Sequence, residues 1–457
     1  MGIINQLDPR FSPYDDETPG VAAVPPGDAP WPSPTASGPI DAAVDLPGSK
    51  SLTNRQLVLS ALADSSSTLR APLHSRDTTL MVDALRSMGT TIEAVSGTGR
   101  FGDDWLITPA DELLGSTTVD CGLAGTVMRF IPPVAALALG PVVFDGDEAA
   151  RRRPMKTTIS SLRSLGVDIA DDGAGALPFT VHGTGRVAGG EIVIDASSSS
   201  QFVSGLLLSA ARFDEGLVLR HSGERVPSQP HIEMTIQALA DRGVTVESPE
   251  AGVWTIAPGR IRGATVDIEP DLSNAAPFLA AAVATGGRVS VSGWPTTTTQ
   301  VGAHLIDLLP LFGATVSLVD GVLTVEGTGE IHGITLDLSE GGELAPALVA
   351  LAALADSPSE ITGIGHIRHH ETDRLAALAN ELTALGGIVT ELEDGLRIEP
   401  TPLHGGTWKT YADHRMAHAG AIIALVTPDV LIEDIATTSK TLPEFPELWS
   451  TLAASTS

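Results

Sequence analysis

The residues of this chain that could do chemistry fall in a few short clusters. In "LPGSKSLTNR", Lys50 and Ser51 sit where a helix would begin, and Arg55 follows one turn along the same side. A phosphate or carboxylate could take charge-assisted bonds from all three. A capped helix with two surface charges gives the same spacing. "AGTVMR" offers a bare backbone turn at Gly125 and Thr126 followed by Arg129, and a glycine there lets a ligand approach the main chain. Arg151, Arg152 and Arg153, followed by Pro154, concentrate positive charge in a chain that has little; a solvated basic run is the plain alternative. "SSSSQF", Ser197 to Phe202, opens a helix with hydroxyls and an amide. Such donors suit a phosphate ester, although one or two of these serines must cap the helix.

The densest ionic clusters are "HHETDR" (His369 to Arg374) and "DHRMA" (Asp413 to Ala417). Arg374 and Arg415 read as bidentate clamps for a carboxylate or phosphate. Glu371, beside arginine and histidine, is a proton-transfer candidate, and a structural ion-pair network is the competing reading. Glu343, in "SEGGELAP", stands at another helix start, where the helix dipole favours the ionised form of a base. His370 with Glu371, and Asp413 with His414, match no zinc or iron spacing, so no metal site is expected. The single cysteine, Cys121, excludes an internal disulfide framework and a thiolate metal cluster. No general base stands beside it, so it reads as a small buried residue.

The elements that must position these residues repeat along the chain. One pattern is an apolar helix, a glycine, then a strand: "DALRSMGTTIE" at Gly89, "SLRSLGVDI" at Gly166, "ALADRGVTV" at Gly243, "LLPLFGATV" at Gly313 and "ELTALGGIV" at Gly386. Each glycine fits the position just past a helix end, where a left-handed conformation is needed. A sixth helix near "PEFPELWSTLAA" closes the chain without its strand. The second pattern is a short strand, a polar turn and an Ala/Leu-rich helix. Its six copies begin at "VDLPGSKS", "VDCGLAGT", "IDASSSSQ", "VDIEPDLS", "LDLSEGGE" and "YADHRMAH". Helices apolar nearly all round are buried helices. The expected fold is α/β (α+β): two domains of three strand–helix repeats each, with sheets outside and buried helices inside. The starts of those helices present unpaired N–H groups and partial positive charge, so they attract anions. The copy at Ser273–Ala276 offers no basic residue and is expected mainly to hold the fold.

Composition bounds these readings. The 457 residues fit two domains of about 200 residues each. Hydrophobic content of 42% with 18% charge is globular, and aromatic residues make up only 4%, which suits helices packed on sheets. The net charge of −29 argues against nucleic acid, which needs a basic footprint. No apolar run reaches the roughly 20 residues of a membrane span. The N-terminus has no signal-peptide pattern, so a cytoplasmic location is expected. Residues 1–35, rich in Pro, Gly and Asp, read as an irregular extension with no assigned chemistry.

Together, "LPGSKSLTNR", "AGTVMR", "SSSSQF", "SQPHI", "HHETDR" and "YADHRMAHA" resemble, in order and spacing, the 5-enolpyruvylshikimate-3-phosphate synthases, or 3-phosphoshikimate 1-carboxyvinyltransferases. The resemblance runs from about residue 38 to the end. It implies a two-domain inside-out α/β barrel, with residues 48–267 in one domain and 36–47 plus 268–457 in the other. It also implies transfer of the enolpyruvyl group of phosphoenolpyruvate to the 5-hydroxyl of shikimate 3-phosphate, with no metal or organic cofactor, by a monomer. Lys50, Ser51, Arg55, Ser199, Ser200, Gln201 and Ser228 resemble the shikimate 3-phosphate set, to which Glu343 and His370 add. Lys50, Gly125, Arg153, Gln201, Arg374, Arg415 and Lys440 resemble the phosphoenolpyruvate set. Glu343 and Glu371 resemble the acid–base pair, with Lys50 beside them.

Four positions depart from the commoner family pattern: Glu343 where Asp is common, His370 where Lys is, His366 where Asn is, and His231 where Tyr is. They resemble an actinobacterial branch. His370 titrates near neutrality, which leaves its charge on the substrate open. Gly125 is retained, so inhibition by the phosphoenolpyruvate mimic glyphosate is an expectation. The nearest rival is the sister transferase acting on UDP-N-acetylglucosamine, which places a cysteine after an Arg-Pro pair; "RRRPMKT" has none. A non-catalytic repeat scaffold would need none of the convergent Lys, Arg and Glu residues.

Overall fold

A computed structural model of the chain describes residues 29–97 and 99–456. Six buried helices organise it: α1 (Lys50–Ala61), α2 (Gly125–Ala135), α3 (Gln201–Ala210), α4 (Leu272–Thr285), α5 (Ala345–Ala353) and α6 (His414–Ala424). Every residue of α2, α5 and α6 is buried; the wholly apolar sequence of α5 requires this, while in α2 and α6 the burial also takes in Arg129, His414, Arg415 and His418. α1, α2 and α3 pack on one another, and so do α4, α5 and α6. Two separate apolar cores result. One is built from residues between Leu57 and Ile261, the other from Trp31–Leu46 and Leu272–Ala453.

Six sheets surround these helix triads, five of four strands and one of three. Within a repeat, the strand before a buried helix pairs in parallel with the strand after it, as Thr117–Asp120 does with Leu139–Asp145 across α2. Two repeats break this rule by exchange. Asp41–Val44, before α1, pairs with Arg288–Ser292, and Thr265–Asp267, before α4, pairs with Ser67–Arg70. The chain therefore passes twice between the bodies that hold the two cores. The glycines of the first pattern take the conformation their sequence context demands: φ is +102° at Gly89, +84° at Gly166, +81° at Gly243, +96° at Gly313 and +92° at Gly386.

Two expectations are corrected. The helix before Gly313 is broken into Val301–His304, Leu305–Leu308 and Leu309–Phe312, the outer two segments being 3₁₀ turns. Pro310, which has no N–H to donate, stands in the first turn of the last segment, where that donor is not needed. The irregular extension read over residues 1–35 ends earlier. Residues 1–28 lie outside the described residues, but Trp31–Pro32 is a strand antiparallel to Val430–Ile432 and completes the sixth sheet. Burial of the Trp31 side chain in the second core holds it there. No helix among the described residues is long and apolar enough to cross a membrane.

Candidate functional site

The starts of all six buried helices line one cleft between the two bodies. Lys50 and Ser51 come from α1, Gly125 and Thr126 from α2, Ser199, Ser200 and Gln201 from α3, and His414 and Arg415 from α6. Glu343 enters from the 3₁₀ turn Gly342–Leu344 that leads into α5. The start of α4, expected to be structural, contributes Asp271, Ser273 and Asn274 to the same wall. That expectation is corrected on chemical grounds. The site needs hydrogen-bond donors and acceptors there rather than a cation, and the Ser273 hydroxyl donates to Glu343 while the Ser273 carbonyl accepts from Arg415 Nη1 at 3.5 Å.

Around Gly125, side-chain tips converge so closely that a Cβ would lie 3.0 Å from Gln201 Oε1, 3.1 Å from Arg153 Nη2 and 3.2 Å from Arg129 Nη1. Gln201 Oε1, Arg153 Nε and Arg129 Nε are buried without a hydrogen-bond partner among the described residues. Burial, and then the neighbouring Arg153, pull the Arg129 guanidinium well below its usual pKa. Buried polar atoms are almost always paired: the two guanidinium N–H groups call for an acceptor such as an anion, and the Gln201 amide oxygen for a donor such as a hydroxyl. Of the arginine triplet only Arg153 turns inward, donating to the Leu123 carbonyl at 3.2 Å. Arg151 is taken up by Asp145 at 2.7 Å and Arg152 by Glu148 at 3.2 Å on the surface.

At the start of α1, Arg55 is almost wholly committed to the protein. Its Nε donates to Thr235 at 2.8 Å, Nη1 to the Ser51 carbonyl at 2.9 Å, and Nη2 to the His231 carbonyl at 2.9 Å and to Ser204 at 3.5 Å. Of its five N–H groups one on Nη1 remains. Burial lowers its pKa to about 9, against the pull of Glu343, so it stays charged at neutral pH. Ser200 stands at the α3 N-cap without capping it; the Ser199 hydroxyl instead accepts from the Gln201 N–H at 3.2 Å. Ser228 is held left-handed, φ +53°, at the start of the helix Gln229–Asp241, and its side chain caps nothing. A serine kept in that region costs energy and marks a position fixed by its surroundings.

Both candidate carboxylates are ionised. Burial pushes Glu343 up, but His231 at 3.4 Å, Arg415 at 3.8 Å and the Ser273 hydroxyl outweigh it and hold it well below the usual carboxylate range. Glu371 is likewise pushed up by burial and brought far lower by Lys440 at 3.0 Å, Arg374 at 3.0 Å and Arg153.

Arg374 is not free to clamp a ligand with its fork, as its sequence context had suggested. Its Nε and Nη2 grip Asp413 at 2.7 and 3.0 Å, Nη2 also reaches Glu371, and Nη1 donates to His370 Nδ1 at 2.9 Å. Asp413 is fully buried, and its charge is matched there by this guanidinium. The charge of His370, left open by the sequence, follows. A guanidinium can only donate, so Nδ1 accepts and the ring is neutral. Burial first, then Arg374, pull His370 well below its usual pKa, against Glu371.

Lys440 ends the 3₁₀ segment Ile435–Lys440 behind Glu371 and crosses to the other body, donating to the Leu123 carbonyl at 2.7 Å. Asp77 was missed by sequence reasoning. It is buried in the first turn of the helix Arg76–Ser87 and pairs with Lys50 at 3.6 Å and Lys440 at 3.7 Å. Nothing in its own segment distinguishes it from an ordinary first-turn acid. Cys121 is inert as expected: burial, with Asp120 adding and Arg129 opposing, raises its thiol to about 12.

Residues 34–449 match the family model described as EPSP synthase (3-phosphoshikimate 1-carboxyvinyltransferase). The chain is 57% identical over 430 residues to a 3-phosphoshikimate 1-carboxyvinyltransferase of Kocuria rhizophila, an alignment covering 93% of this chain and 97% of that protein. Among solved structures it resembles an EPSP synthase of Acinetobacter baumannii, at 23% identity and a TM-score of 0.76. It also resembles the enolpyruvyl transferase NikO of Streptomyces tendae, at 17% identity and 0.73. Each structural match covers 93% of this chain and 98% of the other, and at these identities they speak to the fold.

Proposed function

The chain belongs to the EPSP synthase family, the 3-phosphoshikimate 1-carboxyvinyltransferases, and on that premise we propose how the cleft divides its work. The reaction transfers the enolpyruvyl group of phosphoenolpyruvate to the 5-hydroxyl of shikimate 3-phosphate and releases phosphate. Shikimate 3-phosphate is held by Lys50, Ser51, Arg55, Ser199, Ser200, Gln201 and Ser228, with Glu343 and neutral His370 at its other side. Phosphoenolpyruvate is held by Lys50, Gly125, Arg153, Gln201, Arg415 and Lys440. Arg374 contributes its charge and one Nη1 hydrogen rather than a fork. The observation that carries this reading is the group of buried, unpartnered polar atoms around Gly125, the Arg129 and Arg153 N–H donors and the Gln201 Oε1 acceptor.

Two polyanions repel each other. Six helix starts and the cations between them offset that repulsion and orient the reacting atoms. In the addition step the 5-hydroxyl oxygen bonds to C2 of phosphoenolpyruvate, its proton passes to one carboxylate, and C3 gains a proton from the other. In the elimination step the C2–phosphate bond breaks and C3 gives its proton back. Glu343 and Glu371 are the two carboxylates. Both are ionised in the free cleft, so one must gain a proton as the substrates enter, which nearby anionic charge favours.

The proposal extends to a monomer in the cytoplasm, with residues 48–267 forming one domain and 36–47 plus 268–457 the other. One chain supplies both walls of the cleft, and this proton-transfer chemistry calls for no metal or organic cofactor. Phosphate release from phosphoenolpyruvate, measured with shikimate 3-phosphate and separately with UDP-N-acetylglucosamine, tests the reading. Turnover is expected with shikimate 3-phosphate, and turnover with the sugar nucleotide alone would overturn it.

A further inference from the structure

We infer that His231 is a positioning residue for Glu343, supplied from the opposite body, so that this carboxylate is fully oriented only while the cleft is closed. The inference rests on the reading of Glu343 as one member of the acid–base pair. Glu343 stands in the 3₁₀ turn Gly342–Leu344, whose backbone is held by the Gly341 N–H on the Leu338 carbonyl at 3.0 Å and the Leu344 N–H on the Gly341 carbonyl at 2.8 Å, so what is left to fix is the side chain. A glutamate carries one more rotatable bond than an aspartate, and without outside contacts its carboxylate would sample several positions. Three contacts fix it. The Ser273 hydroxyl donates to Oε1, His231 Nε2 lies 3.4 Å from Oε2, and Arg415 Nη2 lies 3.8 Å from the same oxygen. Ser273 and Arg415 belong to the same body as Glu343, and His231 to the other.

The main chain of His231 is itself held firmly. Its carbonyl accepts from Arg55 Nη2 at 2.9 Å and from the hydroxyls of Thr235 at 2.9 Å and Ser204 at 3.4 Å. Beside it the seam is crossed again: the Ser228 N–H donates to the Ser339 carbonyl at 3.4 Å, and Arg225 pairs with Glu340 at 3.7 Å. The ring is therefore brought to Glu343 by the approach of one body to the other.

Steady-state phosphate release with both substrates tests this. In His231→Leu, kcat is expected to fall about tenfold or more, the scale of a disturbed acid–base group, while both KM values stay within about threefold. His231→Gln, whose amide N–H can reach the same oxygen, is expected to recover most of the loss, and the shorter His231→Asn is not. If the leucine variant does not fold, the glutamine–asparagine contrast carries the test. In a Glu343→Gln background, His231→Leu is expected to add nothing further. A raised KM for shikimate 3-phosphate at unchanged kcat would make His231 a substrate contact and overturn the inference, as would fully additive losses. An inactive wild-type enzyme would remove the proposed function and the inference together; an active one with an indifferent His231 removes the inference alone.

Discussion

Arg374 and His370 illustrate how one side chain's bonds decide another's charge. With its fork on Asp413, Arg374 presents a single donor edge to His370, and the imidazole answers as an acceptor. At Gly125 the deciding quantity is distance. A methyl group would meet Gln201 Oε1 at 3.0 Å and Arg153 Nη2 at 3.1 Å, both tighter than ordinary contact. In Gly125→Ala, those two tips are expected to shift, raising the KM for phosphoenolpyruvate about tenfold with little change in the KM for shikimate 3-phosphate. Equal effects on both substrates would show that the glycine serves packing alone. Glu343→Gln keeps the shape of the cleft but removes a proton acceptor. Its kcat is expected to fall about 10²- to 10⁴-fold, with shikimate 3-phosphate still bound in a calorimetric titration.

The working element is the start of a buried helix. α6 shows what that start requires. Tyr411 and Ala412 are both left-handed, φ +55° and +57°, and the buried carboxylate of Glu381 holds the turn through the Lys409 N–H at 2.9 Å and the Tyr411 hydroxyl at 2.6 Å. Asp413 then caps the helix by accepting from the Arg415 N–H at 2.9 Å while gripping Arg374. Replacing it leaves the buried Arg374 without its main counter-ion. Asp413→Ala is expected to cost about 3–5 kcal/mol in urea denaturation, the scale of a broken buried pair plus a lost cap. A loss below about 1 kcal/mol would mean that Glu371 alone suffices for Arg374.

Across the whole molecule, acidity should be felt as stability. Burial lowers His366 to about 4 and takes His370, His414 and His418 well below their usual value, with neighbouring arginines adding to it. In the unfolded chain these rings protonate near pH 6.5, so below that the unfolded state binds more protons and gains. Their stability is intact above about pH 6.5 and lost as pH falls toward 4; for His366 alone the loss amounts to about 3 kcal/mol. The melting temperature is expected to drop steeply between pH 6.5 and 5, and His366→Asn to drop less. Parallel curves for the two proteins would show that His366 protonates freely in the fold.

Much of this was written locally. The five glycines past helix ends, the apolar helices, and the polar turns before them follow from short-range conformational preference and from what an all-apolar helix must do, so a single chain sufficed to count six repeats. The anion-seeking character of those turns is equally local, being a property of any helix start. Tertiary structure alone decided who meets whom. Nothing near Asp41–Val44 or Thr265–Asp267 announces that their strands are exchanged, and nothing near Ser273, Asp77 or Trp31 announces their partners. Lys440 finds the Leu123 carbonyl 317 residues away. The charge of His370 and the occupied fork of Arg374 depend on such long-range meetings, because a polar side chain buried far from water takes its state from whichever groups the fold brings within bonding distance.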